Sequence, residues 1–507
     1  MSQVRRYLGN VLWSWSGVVV TVAIAFLLSP YVIRTIGDSD FGVWTVALSL
    51  VEYYALMDLG FRSATIKMSA EFRATGDTAK LNELLSTGVL YASMAGTVIL
   101  TGTMILAPYL AHAFKSDRPE LIMLIRVVGA SWALGMAFNV LSACLEGFQR
   151  FDLTTRVWLT SMILRSAGIL TLLLLGYGVL GMGYMLLAAQ CTGYVLTYVL
   201  FRRAVPEARL SWRRATRPML KSMFDYGIHT FTTSISQLLL GRAVPLLIPT
   251  MLPLRFVTYY AVPVRILDYV AELFGRIGSV TAPNASELLA RGRSKDLVWL
   301  GIYTNRYSFL IFAPAAIFLL TYGFEVYSLW IRPDFARECA YLLPVLVVGY
   351  VVMSGQANSV SILFGIGRHK IYSRCLLAEA LLMVAGILAV TPQYGLYGVV
   401  WVTTTLMTLN RGIIVCWLVS RELKIDPLTY AAQIYGVPLL LSGATWLCLA
   451  WAKTYWLPGK SWRQLIGAGV LMSAVYAPLA FRFCIAEHHR QHAFDVVREK
   501  LSLLTAH

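Results

Sequence analysis

Residues 63–84 read SATIKMSAEFRATGDTAKLNEL, and residues 279–300 read SVTAPNASELLARGRSKDLVWL. The two stretches lie 216 positions apart and align without a gap, pairing Ser63 with Ser279, Glu71 with Glu287, Gly76 with Gly292 and Leu81 with Leu297. The same offset extends the match back into apolar sequence. Residues 41–84 against 257–300 give 10 identities in 44, among them Val46 with Val262 and Tyr53 with Tyr269, and Glu52 falls on Asp268. Further along, residues 127–147 match 347–367 at seven of 21 positions and 156–170 match 374–388 at seven of 15, with the offset drifting only between 216 and 220. Self-similarity at a fixed period is the mark of a duplicated unit.

The sequence around the doubled phrase is apolar: 58% of residues are hydrophobic and 14% charged, where soluble domains carry about half and a quarter. Crossing a hydrocarbon core of roughly 30 Å takes about 20 apolar residues. Such runs are expected at 9–34, 42–62, 84–112, 121–144, 157–177, 180–201, 227–250, 257–280, 297–322, 340–366, 372–391, 395–418, 433–452 and 464–483. The fold class is therefore an all-α polytopic membrane protein of about 14 transmembrane helices. The basic start MSQVRRYLGN also suits a signal peptide. Its apolar run exceeds a signal core of roughly 7–15 residues and no A-x-A-like site follows, so an uncleaved first helix is expected.

Six crossings return the chain to the same side, so the two copies point the same way, a parallel repeat of the kind that builds alternating-access transporters. The expected organisation is a first lobe at 1–200, a linker at 201–225, a second lobe at 226–420, two appended helices within 421–485 and a tail at 486–507. With both termini cytoplasmic, the inside holds 27 of the 43 Lys and Arg, the outside 9 and the helices 7. That asymmetry follows the positive-inside rule. It accounts for the net charge of +17 without nucleic acid. The seven Lys and Arg of the linker are expected on the anionic inner leaflet.

Seven arginines fall well inside the spans, Arg126, Arg165, Arg242, Arg265, Arg276, Arg306 and Arg411, against five acids, Glu52, Asp58, Asp268, Glu272 and Glu379. An arginine at bilayer depth costs at least about 2.5 kcal/mol on insertion scales, so such residues face a cavity, a partner or a ligand. In the eighth span Arg265, Glu272 and Arg276 lie within about 40° on a helical wheel, with Asp268 between, a charged stripe roughly 16 Å tall. Two readings stand side by side: a ladder of internal pairs, Asp268 with Arg265 and Glu272 with Arg276, or one wall of a cationic cavity between the lobes. The cation surplus favours the cavity, with Arg265, Arg306, Arg165, Arg276, Arg242, Arg126, Asp268 and Glu272 as its candidate substrate-binding residues. Arg126 and Arg411 have snorkelling to the interface as the alternative, and Arg242, beside Gly241 and near Pro245, a packing kink or hinge. Glu52, Asp58, Asp268 and Glu379 are the candidates for coupling to a proton or sodium gradient. Planar, bidentate guanidinium groups suit a diphosphate whose charge is spread over several oxygens.

Catalytic signatures are missing: no GxxxxGK[ST], HExxH or GxSxG occurs, and no cofactor motif. Seven cysteines, none in a CxxC, point to neither a disulfide framework nor a zinc site. The glycines of GYGVLGMG, residues 176–183, with a counterpart in QYGLYG, fit an outer turn.

The stretches LGFRSATIKMSAEFRATGDTAKL, FGVWTVALSL, TAPNASELLARGRSKDL, LEGFQRF and YSLWIRPDFARECAYLLPVL resemble the polysaccharide and O-antigen flippases of the multidrug/oligosaccharidyl-lipid/polysaccharide exporter superfamily, over nearly the whole chain. These motifs are structural and assign no substrate residue. The resemblance implies fourteen helices in two six-helix lobes plus two. It also implies flipping of an undecaprenyl-diphosphate-linked oligosaccharide across a bacterial inner membrane, with the polysaccharide polymerase and glycosyltransferases as partners. A multidrug or cation antiporter of the same superfamily would want an acid-dominated cavity, and a membrane glycan polymerase or transferase a large outer loop. The sequence offers neither.

Overall fold

The computed structural model describes residues 2–115, 118–491 and 495, with side-chain positions for all of these except 2–23, 25, 228–234, 273–277, 279, 280 and 369. The described residues are helical apart from short connections and contain no strand, as hydrocarbon demands of a chain that must satisfy its backbone within each crossing segment. The helices are α1 (Ser2–Glu52), α2 (Phe61–Thr75), α3 (Thr78–Ala113), α4 (Pro119–Gly147), α5 (Phe151–Leu174), α6 (Gly178–Ala204), α7 (Arg217–Met251) and α8 (Arg255–Ala290). They continue with α9 (Ser294–Trp330), α10 (Pro333–Cys339), α11 (Leu343–Ser354), α12 (Ala357–Gly365), α13 (His369–Met407), α14 (Val415–Leu423), α15 (Pro427–Tyr455) and α16 (Trp462–Phe483). The helical path of α1 breaks at Gly37 (φ 81°) and that of α13 at Gly395 (φ 57°), which separates the spans expected at 9–34 and 42–62 and those at 372–391 and 395–418. Among the described residues nine helices are long and apolar enough to cross a membrane. The remaining expected spans fall in α1, α7 and α8, whose side chains are described only in part.

The chain forms two compact units, Met1–Thr258 and Tyr259–His507. In the first, α3, α4 and α6 bury Leu84, Leu85, Leu145, Phe201 and Met223. The segment after α6 hangs from the start of α3 by its backbone: Arg209 N donates to Asn82 Oδ1 at 2.5 Å, Ser211 N to Ser86 Oγ at 3.2 Å and Thr216 N to Thr87 Oγ1 at 3.1 Å. Helix α7, which the repeat puts at the head of the second copy, packs against α1, α2 and α3 of the first unit. Two glycines bring it there, since a Cβ on Gly60 would stand 2.5 Å from the Gly227 carbonyl oxygen.

In the second unit α9 is the spine, with α10, α11, α12, α15 and α16 packed along it. Phe309, Phe312, Tyr322 and Tyr327 of α9 are buried. The two appended helices belong to this packing. Lys453 of α15 pairs with Glu325 of α9 at 2.6 Å, and Tyr322 Oη donates to the Leu457 carbonyl at 2.8 Å.

The doubled phrase takes two forms. Its first copy is the separate helix α2, entered through a 3₁₀ turn (Tyr53–Asp58) and two left-handed residues, Leu59 (φ 46°) and Gly60 (φ 80°). Its second copy is the end of α8, which runs on unbroken to Ala290 although Pro283 lies inside it. Both copies stop at a left-handed glycine, Gly76 (φ 69°) and Gly292 (φ 70°), the conformation that closes a helix at least cost without a Cβ.

Candidate functional site

Helix α8 carries the charged stripe. Arg265 is exposed, donates from Nε to Tyr269 Oη at 3.3 Å and stacks its guanidinium 5.3 Å above the Tyr269 ring. One turn on, half-buried Asp268 accepts a hydrogen bond from the hydroxyl of Tyr350 on α11 at 2.6 Å. Glu272 is exposed, and the Arg276 side chain lies outside the described residues. The stripe therefore has aromatic hydroxyls among the partners of its charges. A phenol donating to a carboxylate holds it in position without cancelling its charge.

Elsewhere in the second unit Arg306 turns toward the last two helices. Its Nε donates to the Gln433 carbonyl at 2.7 Å, Nη2 reaches the same oxygen and Nη1 the Cys484 carbonyl at 3.4 Å, so the guanidinium ties α9 to α15 and to the end of α16. Glu379 of α13 is 5% exposed. It accepts from Asn410 Nδ2 at 2.6 Å and stands 3.6 Å from Arg411 Nε. Asn410 and Arg411 lie in a π-helical stretch, Thr408–Ile414. The wider π turn lets two consecutive side chains meet one acid, and such bulges are frequent at functional sites.

The first unit brings two candidates together: Arg242 of α7 forms an ion pair with Glu52 at the end of α1, each side chain about one-third exposed (33% and 32%). Asp58 accepts the Arg62 backbone N–H at 3.1 Å and so caps α2. Arg126 donates from Nη2 to the Met104 carbonyl at 3.3 Å, and its buried Nε has no hydrogen-bond partner among the described residues. Arg165 is exposed on α5.

A polar joint lies where the sequence offered only an apolar span with SGQANS inside it. Between α11 and α12 the helix breaks at Gly355–Gln356. Asn305 of α9 bridges the break: its Oδ1 accepts from the backbone N–H groups of Asn358 (2.8 Å) and Ser359 (3.2 Å), and its Nδ2 donates to Ser359 Oγ (2.8 Å) and Tyr430 Oη (2.9 Å). A helix interrupted at membrane depth exposes backbone groups that need partners of this kind. The signal was the run of small and polar residues, 354–359, opposite an asparagine. No periodicity rule joins positions 50 residues apart.

The family model described as polysaccharide biosynthesis protein matches residues 32–331. A Shigella flexneri protein provisionally named an O-antigen transporter is 20% identical over 421 residues, 81% of this chain and 97% of that protein. Among solved structures, the lipid II flippase MurJ in an inward closed conformation superposes with a TM-score of 0.66 at 13% identity, covering 92% of this chain and 98% of that one. An inward-facing multidrug resistance transporter of the MATE family, in the MOP superfamily, gives 0.67 at 16%, covering 80% and 94%. The chain shares the fold of these two transporters, and it is a multi-pass membrane protein.

Proposed function

The chain belongs to the polysaccharide biosynthesis protein family, and on that premise we propose that it flips an undecaprenyl-diphosphate-linked oligosaccharide across a bacterial cytoplasmic membrane. The product feeds O-antigen, capsule or exopolysaccharide synthesis, alongside the polymerase and glycosyltransferases of that pathway. The family match over residues 32–331, which includes both copies of the doubled phrase, carries this reading. The fold likeness to a protein titled a lipid II flippase supports it.

In this reading the substrate head passes between the two repeats by alternating access, while the polyprenyl tail stays in the bilayer. No bond is made or broken. Arg265 is the first contact for the diphosphate, because its bond to Tyr269 uses one of five N–H donors. Glu272 continues the polar wall, Arg276 follows it in the sequence of α8, and Arg165, Arg126 and Arg306 are the further cations proposed for the path, with Arg242 contributing only when its pair with Glu52 opens. Asp268 is the coupling acid of this reading: it stands on the charged stripe one turn from Arg265, where the Tyr350 hydroxyl orients it, and Glu52 and Glu379, each beside an arginine, are the alternatives. Protonation or cation binding at an acid on that stripe changes the net charge of the path.

The test is a deletion strain complemented by wild type, Arg265→Ala or Asp268→Asn. Expected are surface glycan with wild type, at least a tenfold loss with each variant at equal membrane abundance, and lipid-linked glycan accumulating on the inner leaflet. Accumulation on the outer leaflet would transfer the chain to polymerisation. Normal glycan with altered drug resistance would point to the multidrug antiporter, and normal display by Arg265→Ala would remove that arginine from the path.

A further inference from the structure

An apolar groove of about 390 Å³ opens on the α3–α4–α6 face of the first unit, lined by Val89, Phe138, Leu141, Val195, Tyr198 and Leu210 among others. It is of the size of a small-ligand site. Leu210 belongs to the segment that hangs from the start of α3, and through it this segment forms part of the lining. Next to Leu210 in the chain, Arg209, Arg213 and Arg214 are exposed, and Trp212 is 74% exposed with Arg213 packed 5.4 Å over its ring.

The depth of the groove follows from helix geometry. Tyr198 lies six residues before the end of α6, Leu141 six before the end of α4 and Val89 eleven after the start of α3. At 1.5 Å per residue the lining sits roughly 9–17 Å from the helix ends that carry the cations. Below the cations it is therefore at acyl-chain level, and Val195, 63% exposed, marks its open side toward lipid. A tryptophan beside arginines at a helix end is the interfacial anchoring pattern.

We propose that this face is a binding site for an anionic diacyl phospholipid. One acyl chain fills the groove, and the phosphate sits under Arg209, Arg213 and Arg214. The side chains named here offer hydrocarbon and a single phenol, so what enters is a lipid chain. Three cations within six residues, with Glu207 as the nearest acid in sequence, select the headgroup by charge. The hydrogen bonds from the Arg209 and Ser211 backbones to Asn82 and Ser86 fix the segment over the groove before lipid arrives, which lowers the ordering cost of binding.

The full chain, purified in a neutral detergent, is titrated with phosphatidylglycerol or phosphatidylethanolamine and examined by native mass spectrometry, with thermal melting as the fold control. Wild type is expected to retain phosphatidylglycerol in preference. Arg209→Gln/Arg213→Gln/Arg214→Gln should weaken retention by about tenfold or more, each cation near a membrane surface being worth about fivefold. Val195→Trp, which fills the groove from its exposed side, should weaken it by a comparable factor, and Leu210→Ser gives a second variant should the tryptophan disturb folding. The proposal fails if both groove variants bind like wild type, which leaves charge alone at work. It fails equally if phosphatidylethanolamine is retained as well, or if a polyprenyl phosphate displaces phosphatidylglycerol one for one, which makes the groove a substrate-tail site.

Discussion

The two copies of the doubled phrase leave the membrane differently. In the first, Leu59 and Gly60 turn left-handed and α2 starts anew; in the second, the aligned residues are Gly275 and Arg276, and α8 continues without interruption to Ala290. The closing glycines Gly76 and Gly292 are shared and have no atom within 4 Å of a built Cβ, whereas Gly60 is unshared and lies against the Gly227 backbone. Glycines common to both copies thus serve a local turn, and the one unique to the first serves a tertiary contact. Gly60→Val should meet both the positive φ and the α7 backbone, a loss of about 3 kcal/mol or more. Gly292→Ala should meet only the φ, a loss of about 1 kcal/mol. Thermal melts of the purified chain measure both, and equal melting points for the two variants would erase the distinction.

The same alignment sets Glu52 against Asp268, and the two acids have different company. Glu52 pairs with Arg242, and Asp268 accepts the Tyr350 hydroxyl. A direct pair is costly to halve, because the remaining charge keeps its desolvation cost without its attraction. Since both side chains are about one-third exposed, Glu52→Gln or Arg242→Gln alone should cost about 2 kcal/mol, below the range for fully buried pairs. The double variant should recover about half of the summed loss, read as the coupling term of a double-mutant cycle. Additive losses would mean that the pair does not join α1 to α7.

Much of this was legible in the sequence, for identifiable reasons. Hydropathy marked the long apolar helices because lipid leaves little choice of structure, and the 216-residue offset is visible because the substitutions are mostly apolar for apolar. The stripe Arg265, Asp268 and Glu272 was legible because it is local to one helix. What was not legible depends on packing between elements: Tyr350 for Asp268, Gln433 and Cys484 for Arg306, Asn410 for Glu379 and Asn305 for the α11–α12 break. The break has no echo in the first copy, where the aligned residues Leu134–Met136 lie within the unbroken α4. The placement of α7 against α1 through Gly60 and Gly227 was hidden for the same reason.

An effect smaller than that of the ion pair sharpens the comparison of the two acids most. Tyr350→Phe removes one hydroxyl from Asp268 and leaves the ring, which stacks 6.2 Å from Phe312, in place. The loss of one hydrogen bond to a charged acceptor should cost about 1.5 kcal/mol in melting experiments, less than halving the Glu52–Arg242 pair. If Asp268 acts in transport through its charge, Tyr350→Phe should slow glycan export by a modest factor while Asp268→Asn abolishes it, because the phenol orients the acid and the acid carries the charge. Were the two variants to lose export equally, the hydroxyl rather than the charge would be the working group, and the second copy would be as fixed in its chemistry as the first.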